Sequence, residues 1–111
     1  MSNREFITED EVDRALDWLR DNADEAAAAT ADRIYVQEYR KSLKAIIMKE
    51  HEGLPLGAQE REAYADRRYI DYLDAIRQAV FNDVKLDFLK SAADAKVKAW
   101  QTYSANSRGR M

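Results

Sequence analysis

A chain of 111 residues with 18 basic and 21 acidic side chains, net charge −3, three Gly and one Pro fits one domain and is too poor in turn residues for a β-sandwich. With no Cys and a single His, it excludes a disulfide framework, thiol chemistry, Cys-ligated zinc or iron–sulfur centres, and any motif that needs two histidines. The composition predicts an all-α fold of three to four helices in one domain over 1–111: a helical hairpin with one very long C-terminal helix, in oligomeric, coiled-coil-like packing.

Met1-Ser2-Asn3-Arg4-Glu5-Phe6 has no apolar h-region, which predicts no signal peptide. The richest apolar run, Ala45-Ile46-Ile47-Met48, falls far short of the roughly 18 residues a spanning helix needs. Without membrane segment or Cys, the expectation is a cytoplasmic protein. Thr8 with Glu11 three positions on reads as a capping box. Ile7 and Val12 flank it as a hydrophobic staple. A first helix over 9–21 follows, with Val12, Ala15, Leu16 and Leu19 as its apolar stripe. Asn22, with Glu25 three residues later, reads as the N-cap of a second helix over 23–51. Its apolar face runs Val36, Tyr39, Leu43, Ile46 and Glu50, widened by Tyr35 and Ile47. Gly53 and Pro55 supply the usual stop.

Leu54-Pro55-Leu56-Gly57 reads as a loop whose two Leu tuck into the core. A short helix over 58–65 comes next, and Asp66 reads as the cap of the long helix. No Gly or Pro interrupts the chain from there to Gly109, which predicts a helix over 67–106, about 60 Å long, and a flexible tail over 107–111. Its apolar face takes in Tyr69, Leu73, Ile76, Val80 and Val84, with Tyr72 and Phe81 alongside, then Phe88, Leu89, Ala92, Ala93, Val97 and Trp100. A stripe of that length outruns what the first two helices cover. It predicts a dimer or larger assembly of the chain with itself, with Leu89, Ala93, Val97 and Trp100 in or beside the interface.

Charge is segregated. Residues 5–32 hold ten acids and two bases, net −8; residues 33–49 and 85–111 are each +4. Basic side chains interleaved with aromatics favour nucleic acid, because bases neutralise phosphates and rings stack on unpaired nucleobases. Arg33, Arg40, Lys41 and Lys44 on the second helix, with Tyr35, and Lys96, Lys98, Arg108 and Arg110 near the C-terminus, with Tyr103, are the candidate nucleic-acid contacts. The competing reading is a solvated surface on which opposite charges dock helices together and the tyrosines fill core margins.

No phosphate loop, Gly-x-Ser-x-Gly elbow or Glu-x-x-His pair is present. His51 and Glu52 read as helix-end residues, and carboxylates such as Asp10, Asp13 and Asp17 as a solvated acidic face. The expectation is therefore no enzyme, no catalytic residue, no metal site and no cofactor.

Three blocks carry a family likeness: residues 33–50 (Arg33-Ile34-Tyr35-Val36-Gln37-Glu38-Tyr39-Arg40 and onward to Glu50), residues 57–66 (Gly57-Ala58-Gln59-Glu60-Arg61-Glu62-Ala63-Tyr64-Ala65-Asp66) and Ala95-Lys96-Val97-Lys98-Ala99-Trp100. Together they resemble small helical proteins encoded by tailed bacteriophages and prophages. The resemblance spans roughly residues 30–105 and leaves out the acidic N-terminal segment. It implies a phage origin and brings no catalytic residue with it. The resulting expectation is a phage accessory protein assisting DNA replication or recombination, with single-stranded DNA as partner. Its rival is a protein-interaction module, either a virion assembly factor or an inhibitor of a host system, with a phage or host protein as partner.

Overall fold

The computed structural model describes residues 7–109. The chain is all-α, with helices α1 (Glu9–Asp21), α2 (Ala23–Glu50), α3 (Leu56–Ala65) and α4 (Arg67–Gly109). Residues 107–109 of the expected tail are the last helical residues of α4; Arg110 and Met111 lie outside the described residues.

The caps explain most of the boundaries. Thr8 has extended backbone and its hydroxyl accepts from the Glu11 amide at 3.2 Å, while Ile7 and Val12 are both buried. The Asp66 carboxylate accepts from the Arg68 amide at 2.8 Å, starting α4 in the same manner. Asn22 works differently from the sequence reading. Its side-chain amide and its backbone N–H both donate to the Trp18 carbonyl, at 2.9 and 3.0 Å. It closes α1 in this way, while its backbone carbonyl accepts from the Ala26 amide at 2.9 Å and so opens the bonding of α2.

The end of α2 also departs from expectation. No glycine among the described residues has positive φ, so Gly53 supplies no left-handed cap. The helix tightens instead through His51 N–H to Met48 O, Glu52 N–H to Lys49 O and Leu54 N–H to His51 O, the three-residue bonding that satisfies terminal carbonyls without a special residue. Leu54 and Leu56 are exposed, Leu56 to 65%, and do not pin the loop. Gln59 does so: its amide donates to the Leu54 carbonyl at 2.8 Å. Helical bonding in α3 begins at Pro55, whose carbonyl accepts from the Gln59 amide, so α3 starts two residues before the expected 58.

The described residues divide into two compact units, 7–27 with 85–109, and 28–84. In the first, the buried residues are Ile7, Val12 and Ala15 around α1 and Ala93 on α4; Val97 and Trp100 are half-buried and Leu89 is exposed. Ala93, expected at an oligomer interface, is thus already covered by its own chain.

The second unit is a helical hairpin of α2 and α4 joined through α3. Its core is small: Ile47, fully buried, with Ala63 and Tyr69, and Leu43 and Met48 packed against them. Of the expected face of α2, Ile47 at its margin is fully buried and Leu43 packs beside it, while Tyr39 and Ile46 are exposed. Residues 45–48 are apolar on every side of the helix, so periodicity cannot select among them; packing against Ala63 and Tyr69 does. On α4, Leu73, Phe81 and Val84 are likewise exposed rather than inward.

Polar clamps tie the hairpin at two levels. Asp83 on α4 accepts from the Thr30 hydroxyl and the Arg33 guanidinium on α2, and these bonds hold its carboxyl below the usual carboxylate range. Arg68 at the start of α4 makes two parallel bonds to Glu50 at the end of α2, at 2.7 and 2.9 Å, and also reaches Asp66. Those bonds hold the Glu50 and Asp66 carboxyls low as well.

Candidate nucleic-acid interface

Three of the basic residues singled out in the sequence converge. Arg40, Lys41 and Lys44 of α2 line a groove of about 330 Å³ together with Tyr64 of α3 and Tyr69 of α4. The helix brings the cations together, because positions 40, 41 and 44 fall within about one third of its circumference at 100° per residue. α3 closes the groove because Ala63 is buried in the hairpin core, which sets the neighbouring Tyr64 against the basic face of α2.

The groove is internally ordered. The Lys44 ammonium donates to the Tyr64 hydroxyl at 2.7 Å and lies 4.6 Å from the centre of the Tyr64 ring. The hydroxyl bond raises the Lys44 ammonium above its ordinary pKa. Tyr64 meets Tyr69 edge-on, with ring centres 5.4 Å apart and planes at 78°. Tyr69 is buried and Tyr64 half-exposed, so Tyr69 holds Tyr64 in place and Tyr64 offers its ring to solvent. Lys41 makes a solvent-exposed pair with Glu38 at 3.2 Å, a contact worth little that a stronger anion displaces. Arg40 is exposed and forms no ion pair among the described residues. Glu60 on α3 is the acid whose field reaches Lys44. Chemically, the groove offers an anion a free guanidinium, two ammonium groups and one accessible ring.

The remaining candidates are elsewhere. Arg33 shares a helix face with Arg40 but is committed to Asp83 and Gln37, so its charge is neutralised inside the hairpin. Lys96, Lys98 and Arg108 are exposed on α4 in the other unit, and Arg110 lies outside the described residues. Tyr35 stacks on Tyr39 at 6.2 Å, and Tyr39 touches Tyr72 at 5.7 Å; these rings form a separate ladder, whose α2 members lie about 100–140° around the helix from Arg40. Tyr64, not Tyr35, is the ring that accompanies the bases.

No helix among the described residues is long and apolar enough to cross a membrane. No family model matches the chain, and neither a curated protein nor a solved structure does.

Proposed function

We propose that this is a non-enzymatic phage accessory protein of the host cytoplasm, which works as an oligomer and assists DNA replication or recombination by holding single-stranded nucleic acid weakly. The observation that carries the reading is the convergence of Arg40, Lys41 and Lys44 with the half-exposed Tyr64 on one groove. Single-stranded nucleic acid needs cations for its backbone and an aromatic surface for an unstacked base, and the groove supplies both. Three cations on a chain of net charge −3 support contact that is weak alone, independent of sequence and lost as salt rises. Oligomerisation strengthens it by presenting several grooves to one strand. Phage origin rests on the sequence resemblance over residues 30–105, and the cytoplasmic assignment on the absence of Cys and of an apolar spanning segment. Fluorescence anisotropy with a labelled single-stranded oligonucleotide, at low and physiological salt, tests the reading: binding at low salt that weakens steeply supports it, and no binding at low salt removes it.

One observation favours the second reading, a protein-interaction module. The hairpin unit leaves eleven large apolar side chains exposed, from Ile34 to Val84, more than twice as many as the other unit.

A further inference from the structure

The groove between α2 and α3 selects which part of a strand it can hold. None of its five lining residues is a carboxylate or an amide, and three of them are cations, which donate hydrogen bonds and accept none. One of these cations sets the polarity of Tyr64. Lys44 donates to the Tyr64 hydroxyl at 2.7 Å. The phenol oxygen is therefore the acceptor in that bond, and its own O–H is left to be given elsewhere. No other residue among the described ones takes it. Beside its cations the groove thus carries a neutral donor without an acceptor, on a ring that the buried Tyr69 holds edge-on.

The complement of this set is a negatively charged group with acceptors only. The non-bridging oxygens of a phosphate are that group. A nucleobase edge is a poorer match, because bases present donors and acceptors together and the cations answer only the acceptors. Local charge narrows the choice further. Glu38 pairs with Lys41 at 3.2 Å, and the field of Glu60 reaches Lys44. Three cations less these two acids leave one net positive charge at the groove. A phosphodiester inside a strand carries one negative charge, whereas a terminal monoester carries about −1.5 to −2 at neutral pH.

We propose that the groove is a site for an internal phosphodiester of a single strand, in which the Tyr64 hydroxyl donates to a non-bridging phosphate oxygen while Arg40 and Lys41 neutralise its charge. The inference rests on the reading of this groove as the nucleic-acid contact and sharpens it. Tyr64 acts on the backbone through its hydroxyl as well as on a base through its ring, and Lys44 fixes which way the hydroxyl is polarised.

The test is anisotropy with the full chain and single strands of one length, labelled at the 3′ end, over a salt series. Tyr64→Phe keeps the ring and removes only the donor. It is expected to weaken binding about fivefold at every salt concentration, with the salt slope unchanged, because a neutral donor releases no counterion. Arg40→Gln is expected instead to lower the slope by about 0.7. The loss in Tyr64→Phe is expected to be the same on an abasic strand, which keeps every phosphate and has no bases. Wild type is expected to bind strands with a 5′-phosphate and a 5′-hydroxyl equally.

Tyr64→Phe that binds like wild type, or a loss that vanishes on the abasic strand, overturns the proposal. A lowered salt slope in Tyr64→Phe also overturns it, since the hydroxyl would then act only by holding Lys44. A several-fold preference for the 5′-phosphate overturns the assignment to an internal phosphodiester, and this comparison uses wild type alone, so it decides even if Tyr64→Phe loses helicity. In each of these outcomes wild type still binds, and the reading of the groove as a nucleic-acid contact stands. Absence of wild-type binding at low salt removes that reading and this proposal together.

Discussion

The two units of this chain handle their apolar residues differently. Residues 7–27 with 85–109 bury Ile7, Val12, Ala15 and Ala93 and expose four large apolar side chains. The hairpin of 28–84 buries only Ile47, Ala63 and Tyr69 and exposes eleven. Patterning underlies the difference: α1 is strongly amphipathic, whereas α2, α3 and α4 are only weakly so. The hairpin distributes apolar residues around α2 and α4 rather than along one stripe, so two helices and the short α3 cannot cover them. Its cohesion leans on the Asp83 and Arg68 clamps, and its surface offers what another molecule would bury. The first unit covers its own apolar residues more fully than the second does.

The comparison breaks most readily at Ile47. Because the hairpin core is so small, Ile47→Ala costs about 2–4 kcal/mol and raises amide exchange across 28–84 first. Phe81→Ala, on the exposed stripe, leaves the stability of the isolated chain within about 0.5 kcal/mol. Urea titration with exchange mass spectrometry separates the two outcomes, and equal losses would show that the hairpin core is wrongly placed. A smaller effect belongs to the other unit. Thr8→Ala removes the acceptor for the Glu11 amide and lowers stability by about 1 kcal/mol, with faster exchange in α1 and none in the hairpin.

Acid sharpens the contrast further. Glu50, Asp66 and Asp83 all belong to the hairpin, and all are held below the usual carboxylate range by their hydrogen bonds to Arg68, Thr30 and Arg33. A carboxylate with a depressed folded pKa contributes stability above its ordinary value and loses it as pH falls through the folded one. The hairpin therefore loosens below about pH 4, ahead of the unit containing α1. Asp83→Asn removes part of that acid dependence. A denaturation profile flat from pH 6 to about pH 3 would contradict the clamps.

Much of the fold was legible because it rests on local chemistry. Thr8 and Asp66 announce helix starts through side chains that reach only two or three residues along the chain, and the absence of Gly and Pro between Asp66 and Gly109 announces α4. What escaped depends on contacts distant in sequence. Nothing near Arg33 says that Asp83, fifty residues on, takes its charge, so it looks like a phosphate contact equal to Arg40. Tyr64 joins Lys44 across twenty residues, and only the packing of α3 on Ile47 makes it a neighbour. The exposed stripe of α4 was hidden for another reason: Leu73 and Val84 satisfy the same periodicity as the buried Tyr69, and a helix apolar over a wide sector does not declare which edge of it faces inward.

The most direct test of the account sets the proposed nucleic-acid contact in one unit against the other. Anisotropy of a single-stranded oligonucleotide at low salt is measured for wild type, for Arg40→Glu with Lys41→Glu in the hairpin groove, and for Lys96→Glu with Lys98→Glu on α4 of the other unit. Both double variants change the net charge by the same amount, so they control for long-range repulsion. The account predicts that the first abolishes binding and the second weakens it only slightly. Binding retained by the first and lost by the second would move the contact to the other unit and contradict the division of labour drawn here.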